Sequence, residues 1–350
     1  MWPLCYSFRM DAVALTRKLV DVESISGNEA PVGEVLLGEL ASLGLSVTKM
    51  PVPLPVGMDA TLHRERFNLL ASWPEQPHPA IIFSTHLDTV PPFIPSSEDA
   101  DNIYGRGTCD AKGIIAAQVA AALRLHDEGL HVGMLYVAGE ERDSAGALEA
   151  NKHPIGSRYL INGEPTDNRL GVASKGTLRV ELVCRGRAAH SAYPELGESA
   201  IDKLLEALRR LRPMQLPVNE EVGPSTMNIG VIEGGRAPNV IPDFAKAQML
   251  YRLVGEAGEL RREIVDTVGG LGEVSFPLEI PFLRLRTVPG IPTMVAAFTT
   301  DIPALAAWGE PLLIGPGSIH VAHTEREFIS KKELFEAVEQ YCEIARKLGE

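Results

Sequence analysis

The chain has 350 residues, of which 45% are hydrophobic and 23% are charged. These are ordinary globular values, so the composition excludes a disordered chain, a collagen and a disulfide-dense scaffold. Thirty-three Lys and Arg residues against 46 Asp and Glu residues give a formal net charge of −13. An acidic protein of this kind is not expected to bind nucleic acid or an anionic membrane as its main partner.

Cysteine usage and the amino terminus both predict a cytoplasmic protein. The cysteines, which form no CxxC pair, are Cys5, Cys109, Cys184 and Cys342. Such spacing is typical of a reducing compartment. The first residues do not resemble a signal peptide, and we interpret residues 1–9 as a loose extension ahead of a start at Met10. The most apolar run is too short to span a bilayer.

The first part of the chain alternates between helical and strand patterns. Apolar residues at helical spacing predict helices over 11–22, 28–43 and 111–128. Short apolar runs predict buried strands over 80–85, 132–138 and 158–162. Asp110 is placed to cap the third helix. Strands that alternate with helices imply an α/β fold with a mixed, mostly parallel sheet and helices on both faces.

The pattern changes after residue 176. The predicted elements are a strand over 177–185, a helix over 199–211, strands over 225–233 and 245–254, a helix over 257–268 and a strand over 273–280. This β-α-β-β-α-β order is that of a compact α+β unit. The α/β pattern then returns with a strand over 311–314 and a helix over 331–348. We therefore predict a catalytic domain of residues 1–176 and 282–350, interrupted by a lid and dimerisation domain of residues 177–281.

Polar side chains with metal-binding capacity follow the predicted strands. They are His86 and Asp88 after the strand over 80–85, Glu140 and Glu141 after 132–138, Glu164 after 158–162, and His323 after 311–314 and the glycine loop that follows it. Asp110 lies between the first two groups. Because ligands bind beyond the carboxyl ends of strands in open α/β sheets, we expect these side chains to lie close together.

Each of these residues alone has an ordinary explanation. A single histidine such as His86 is most often a partly buried side chain whose hydrogen bonds are made within the fold. Asp110 fits a helix cap, and Glu164 fits a turn. Their common place at one sheet edge favours a functional site. A ligand set of His, Asp and Glu without cysteine is typical of catalytic zinc, with cobalt or manganese as alternatives.

Five motifs follow one another over nearly the whole chain. They are HLDTVPP at 86–92, GRGTCDAKG at 105–113, GEERDSAG at 139–146, NGEPT at 162–166 and AHTEREFI at 322–329. In sequence and order they resemble the co-catalytic zinc metallopeptidases and aminoacylases. That family includes acetylornithine deacetylases, succinyl-diaminopimelate desuccinylases and carboxypeptidase G. The resemblance is specific for the family, but it discriminates poorly between the substrates of its members.

The resemblance implies two divalent metal ions, of which zinc is the expected metal. It assigns His86 and Glu164 to one ion, Glu141 and His323 to the other, and Asp110 as the bridge between them. It also implies that Asp88 orients His86, and that Glu140 is the general base toward a water held between the metals. The peptide bond after Asp110 is expected to be cis.

The resemblance extends to the inserted domain and to the substrate site. The motif GRAAHSAYP at 186–194 carries His190, which in family dimers reaches into the partner's active site to stabilise the oxyanion. The residues assigned to substrate are Asn228, Gly234, Gly235, Arg252 and Gly317. Two positions depart from the family pattern. Leu250 stands two residues before Arg252, where Asp or Asn is usual, so Arg252 is either a clamp for the substrate carboxylate or a structural residue. Arg326 stands where the last motif usually has an acid or an amide.

The predicted function is metal-dependent hydrolysis of the amide of an N-acyl-L-amino acid or short peptide by a homodimer. The GPGS segment at 315–318 favours an acetylornithine deacetylase-like N-acetyl amino acid deacetylase, which belongs to arginine biosynthesis. Alternatives within the family are a dipeptidase or carboxypeptidase, a desuccinylase, and a hydrolase that frees lysine or ornithine from a carrier protein. The intact Glu140 argues against a binding protein without turnover. The inserted domain and the Glu140–Glu141 pair argue against a dinuclear metallophosphoesterase.

Overall fold

The computed structural model describes residues 10–53 and 65–349, so the predicted extension of residues 1–9 lies outside the described part. The α-helices are α1 Ala12–Val20, α2 Ala30–Ser42, α3 Gly113–Asp127, α4 Ala145–Ala150, α5 Ala200–Leu211, α6 Gly258–Val268 and α7 Lys331–Gly349. The strands are β1 Ser46–Val52, β2 Arg66–Ser72, β3 Ile81–His86, β4 Ser97–Glu98, β5 Asn102–Tyr104, β6 Gly133–Val137, β7 Tyr159–Asn162, β8 Leu170–Ser174, β9 Gly176–Arg185, β10 Val218–Asn219, β11 Gly223–Pro224, β12 Thr226–Gly234, β13 Phe244–Leu253, β14 Glu273–Ile280, β15 Leu283–Arg284, β16 Thr293–Ala296, β17 Glu310–Leu313 and β18 Phe328–Ser330.

A six-stranded sheet has the order β1-β2-β6-β3-β7-β17. The last four of these strands run parallel, whereas β2 is antiparallel to β6 and β1 is antiparallel to β2. The mixed, mostly parallel sheet predicted from the sequence is therefore confirmed. The sequence pattern missed β1, because this edge strand is largely exposed and contains Pro51. It also missed β2, in which the buried polar residues Arg66 and Asn68 interrupt the apolar run.

The centre of this sheet is covered on both sides, which explains its sequence. Every residue of β3 and of β6 is buried, and strands of this kind read as continuous apolar runs. Helix α3 is almost entirely buried and packs against α1 and α7. This packing fixes the carboxyl ends of β3 and β6, from which the candidate site is built.

The chain divides into two compact units. The first contains the described residues of Met1–Val172, Leu285–Met294 and Thr300–Glu350, and the second contains Ala173–Arg284 and Val295–Thr299. The insert predicted as residues 177–281 falls within the second unit. Among residues 10–53 and 65–349, no helix has the length and hydrophobicity needed to cross a bilayer.

The second unit contains a four-stranded antiparallel sheet in the order β12-β13-β9-β14. Along β13, buried residues alternate with partly exposed ones, so one face of the sheet is covered. Helix α5 packs on β9, on β13 and on α6. The chain order β9-α5-β12-β13-α6-β14, with the short hairpin β10–β11 after α5, agrees with the predicted β-α-β-β-α-β pattern.

Candidate active site

The candidate ligands meet because their strands are parallel neighbours. His86 is the last residue of β3, Glu141 follows β6 in a short turn, and Glu164 follows β7. Strand β3 lies between β6 and β7 and runs parallel to both. His323 lies in the loop after β17, which runs parallel to β7. All four residues therefore reach the same edge of the sheet, as expected for a ligand site in an α/β fold.

Asp110 lies at the centre of this group. Its Oδ1 atom is 2.9 Å from Nε2 of His86, and its Oδ2 atom is 3.2 Å from Nε2 of His323. Nε2 of His323 is also 2.9 Å from Oε1 of Glu141. The potential ligand atoms here form three groups, each within 4.8 Å: His86, Asp110 and Glu164; Asp110, Glu141 and His323; and His86, Glu140 and Glu141. The first two of these groups share Asp110.

Asp110 does not form the helix cap that its position before α3 allowed. The helix begins at Gly113, and Asp110 and Ala111 have non-helical backbone angles, with φ of −128° and −135°. The carboxylate of Asp110 faces two histidines, so it is not used to satisfy the first N–H groups of the helix. The peptide bond between Asp110 and Ala111 is cis, as the resemblance implied.

Asp88 contacts His86 mainly through its backbone. The carbonyl oxygen of Asp88 accepts a hydrogen bond from Nδ1 of His86 at 2.9 Å, whereas the carboxylate is 3.5 Å from that nitrogen. The carboxylate instead accepts from the three consecutive backbone N–H groups of 139–141, at 3.0, 3.1 and 3.2 Å. Asp88 therefore directs Nε2 of His86 toward Asp110 and also holds the turn that carries Glu140.

The turn at 139–141 packs against a buried ion pair. The guanidinium of Arg66 makes two hydrogen bonds to the carboxylate of Glu29, at 2.9 and 3.1 Å, and both side chains are almost completely buried. Gly139 has a φ of +82°, and a Cβ at this position would collide with the guanidinium of Arg66. A glycine is required here because the turn needs both a left-handed backbone and close contact with Arg66.

Glu327 is a site residue that the sequence reasoning missed. Its Oε1 atom accepts hydrogen bonds from the backbone N–H groups of Gly107 at 2.8 Å, and of Cys109 and Asp110 at 3.3 Å. Its Oε2 atom is 2.6 Å from Nη1 of Arg106. Glu327 comes next to this loop because β18 pairs with β5. The signal in the sequence was its place in the AHTEREFI motif, four residues after His323.

Negatively charged carboxylates are in excess over positive groups at this site. Burial, reinforced by neighbouring carboxylates, raises the pKa of Glu140 and of Glu164 well above the ordinary value. Hydrogen bonds from the ring of His323 to the carboxylates of Asp110 and Glu141 raise the pKa of His323 to about 10. Burial opposes the charged form of His86, yet hydrogen bonds to Asp110 and Asp88 raise its pKa well above the usual range. The site therefore favours added positive charge.

The residues present fit a pair of divalent cations. Oε1 of Glu164 is buried and has no hydrogen-bond partner among the described residues. A buried carboxylate oxygen without a partner is costly, and a cation would satisfy it. Imidazole and carboxylate ligands without thiolates suit zinc, and also cobalt or manganese.

Gly317 packs directly against the loop that carries Asp110. It has a φ of +83°, and a Cβ at this position would lie 2.6 Å from the Cβ of Cys109. The backbone of residues 315–317 accepts hydrogen bonds from the segment after Glu164, since the carbonyl of Gly317 accepts from the N–H of Asp167 at 2.8 Å.

The remaining predicted residues, the catalytic His190 and the other substrate residues, lie in the second unit. His190 is exposed, and its Nδ1 atom accepts a hydrogen bond from the backbone N–H of Ala192 at 3.1 Å. Asn228 is exposed on β12, and the glycine pair ends that strand, with a φ of +75° at Gly235.

Arg252 lies on β13 and is partly buried. Its Nη1 atom donates to the hydroxyl of Thr177 at 2.8 Å. Within the described residues, no carboxylate forms an ion pair with this guanidinium, and burial lowers the pKa of Arg252. The position two residues earlier, Leu250, pairs across the sheet with Arg179 and supplies no acidic partner.

Known protein sequences match this chain over more than nine-tenths of its length. The family model described as the peptidase dimerisation domain matches residues 172–269. A peptidase M20 domain-containing protein of Schizosaccharomyces pombe is 37% identical over 345 residues, which cover 94% of this chain and 82% of that protein. A probable carboxypeptidase of Paracoccidioides brasiliensis is 39% identical over 373 residues, which cover 95% of this chain and 84% of that protein.

Solved structures share the fold over nearly the whole chain. The aminopeptidase PepT from Bacillus cereus has a TM-score of 0.75 at 22% identity and covers 98% of this chain and 99% of its own. The M20 family metallo-carboxypeptidase Sso-CP2 from Sulfolobus solfataricus has a TM-score of 0.75 at 17% identity, with 97% and 99% covered. Given relatives above one-third identity over nearly the whole chain, the protein belongs to the M20 peptidase family of metal-dependent hydrolases.

Proposed function

We propose that this M20 hydrolase uses two metal ions to cleave the amide bond that precedes a free carboxylate, in an N-acyl amino acid or a short peptide. The observation that carries the proposal is the position of Asp110 between two histidines, each near a further carboxylate, with Glu140 beside them. A site shared through one carboxylate is the arrangement that two-metal hydrolysis requires.

The ligand assignment follows the two groups that share Asp110. His86 and Glu164 would hold one ion, Glu141 and His323 would hold the other, and Asp110 would contact both. When bound, the ions polarise the amide carbonyl and lower the pKa of the attacking water. We propose zinc, with cobalt and manganese as the alternatives to be compared.

Glu140 is the proposed general base. Its backbone N–H is fixed by Asp88, and its carboxylate lies in the same group as His86 and Glu141. The burial that raises its pKa makes it a stronger proton acceptor than an exposed glutamate. Glu140 would take a proton from the attacking water and deliver it to the leaving amide nitrogen, so that the free amine departs.

Arg252 is the proposed partner of the substrate carboxylate. Its described hydrogen-bond partner is a neutral hydroxyl, so the guanidinium charge is open to a bidentate contact with a carboxylate. On the family resemblance, Asn228, Gly234, Gly235 and Gly317 are also proposed as substrate-binding residues.

His190 is proposed to act across a homodimer, in the active site of the partner. Because Nδ1 accepts a hydrogen bond from Ala192, the proton of the neutral ring lies on Nε2. An exposed N–H of this kind is the donor that an oxyanion requires. The match to a peptidase dimerisation domain supports the dimer.

Two substrate classes are distinguished by experiment. The relatives named as probable carboxypeptidases support release of a carboxyl-terminal amino acid from a short peptide. The GPGS segment at 315–318 supports the second candidate, an acetylornithine deacetylase-like activity.

Hydrolysis by the metal-loaded protein is measured on dipeptides, N-acetylornithine, N-acetylcitrulline and N-succinyl-diaminopimelate, with Glu140→Gln as the control. Preference for dipeptides supports the first class, and preference for N-acetylornithine supports the second. No turnover of any of them by fully metal-loaded protein contradicts the proposal.

A further inference from the structure

A second cluster of potential metal ligands lies at the opposite edge of the six-stranded sheet. Glu75, His126 and His131 each offer one ligand atom, and these atoms lie within 4.8 Å of one another. Glu75 follows the carboxyl end of β2, and His131 precedes the amino end of its antiparallel neighbour β6. The candidate active site follows the carboxyl end of β6. The five residues of this strand therefore separate the two clusters by about 16 Å.

Two local turns bring the three side chains together. The backbone N–H of Gln76 donates to the carbonyl of Trp73 at 2.9 Å, which closes a tight turn with Pro74 and Glu75 at its centre. Helix α3 ends at Asp127, and Gly129, two residues later, has a φ of +84°. The N–H groups of 129 and 130 donate to the carbonyls of 126 and 125, at 2.9 and 2.8 Å. This helix-ending pattern reverses the chain and returns His131 to the side of His126.

The rings and the carboxylate are held close to metal-binding geometry. Oε1 of Glu75 is 2.9 Å from Nε2 of His126 and 3.7 Å from Nε2 of His131. Ligand atoms around a tetrahedral zinc ion, with bonds of about 2.0–2.2 Å, are about 3.3–3.6 Å apart. Trp73 stacks on the ring of His126 with centroids 3.6 Å apart and so restricts its orientation. Only small shifts of these three side chains are needed for their ligand atoms to coordinate one ion.

The local charges favour a cation at this place. His126 lies in the last turn of α3, where the helix dipole is negative. Its Nδ1 atom is buried, has no hydrogen-bond partner within the described part of the chain, and lies 3.9 Å from Oδ1 of Asp127. A cation between Nε2 of His126 and Glu75 would replace the proton shared there. The ring proton would then occupy Nδ1 and face Asp127, as carboxylates commonly do behind a ligating imidazole.

We propose that Glu75, His126 and His131 bind one divalent transition-metal ion, separate from the proposed active site. Two imidazoles and one carboxylate select zinc, cobalt, nickel or copper over magnesium and calcium, which prefer oxygen ligands. The side chain of Glu75 is 50% exposed, so the ion can enter from solvent. The ion would join the end of β2, the end of α3 and the start of β6, and would stabilise the folded state because the unfolded chain lacks the site.

The experiment compares zinc content between variants. Wild type, His131→Ala and Glu75→Gln are dialysed against micromolar free zinc and measured by mass spectrometry of the metal. The matched control is His153→Ala, which removes an exposed histidine 3.8 Å from Glu149. We expect one zinc ion fewer per chain in both site variants and an unchanged content in the control. Equal zinc content in all four proteins overturns the proposal.

The readout is a difference, so it does not depend on how many ions the proposed active site holds. Anomalous diffraction at the zinc edge, from crystals of the wild-type protein grown with zinc, locates the ion. A peak within bonding distance of Glu75, His126 and His131 supports the proposal. Zinc peaks elsewhere in the crystal with none at this cluster contradict it, whatever the outcome for the hydrolase activity.

Discussion

The carboxylate of Glu327 accepts a hydrogen bond from the backbone N–H of Asp110 at 3.3 Å. The same carboxylate pairs with Arg106, and both side chains are buried. A segment close to the carboxyl terminus therefore fixes the loop that carries the residue shared by the two proposed metal sites. Glu327 touches none of the proposed reacting atoms, so we regard it as a positioning residue.

Replacement of Glu327 by Gln should destabilise the protein. The substitution leaves the guanidinium of Arg106 buried without its charge partner, which typically costs about 3–5 kcal/mol. Urea unfolding of the metal-free proteins measures the loss. The control is Glu325→Gln, since Glu325 is exposed two residues earlier in the same segment. Equal unfolding midpoints for the two variants would show that the buried pair does not stabilise the loop.

Replacement of Asp88 by Asn should reduce kcat while the metal content is kept. The amide retains one acceptor oxygen but loses the charge that holds three backbone N–H groups of 139–141. Loss of such a partner behind the ligands typically costs about 10- to 100-fold. Steady-state kinetics, combined with metal analysis of the same samples, checks this expectation. An unchanged kcat would show that Glu140 is positioned without this carboxylate.

Metal binding should release protons and strengthen as the pH rises. The metal-free site holds the pKa of His323 at about 10, raised by its hydrogen bonds to Asp110 and Glu141. The imidazole is therefore protonated below that pH, and a metal ion must displace the proton to bind. For one displaced proton the affinity gains about tenfold per pH unit between about pH 7 and 9. Calorimetry in buffers of different ionisation enthalpy counts the protons. A pH-independent affinity with no proton release would contradict the assignment of His323 as a ligand.

Replacement of Arg252 by Ala should raise KM for substrates with a free carboxylate. Loss of a charged hydrogen bond of about 1.5–3 kcal/mol lowers kcat/KM roughly 10- to 100-fold. The same substrate with an amidated carboxyl terminus should be affected much less. Arg179→Ala, which removes an exposed arginine of β9, is the control. An equal loss toward free and amidated substrates would mean that Arg252 acts only on the fold.

The sequence predicted the residues at the strand ends because the strands themselves are clear. β3 and β6 are buried on both faces, so their apolar runs and the polar residues after them stand out. An acid before an apolar helix also fits a cap, so only the place of Asp110 among the other strand-end residues favoured a metal ligand. The role of Glu327 was missed because its contact with Asp110 spans 217 residues. The cluster of Glu75, His126 and His131 depends on two turns and has no motif of its own.

Glu140 is proposed to move the proton in a metal-dependent amide hydrolysis. The most direct measurement compares hydrolysis of the best substrate by wild type and by Glu140→Gln, with the metal content of each protein determined in parallel. We predict that both proteins hold the same number of ions, that the wild type loses activity when a chelator removes them, and that kcat of the variant falls about 10²- to 10⁴-fold. Wild-type turnover by the fully loaded variant, or turnover that survives complete removal of metal, would contradict the account.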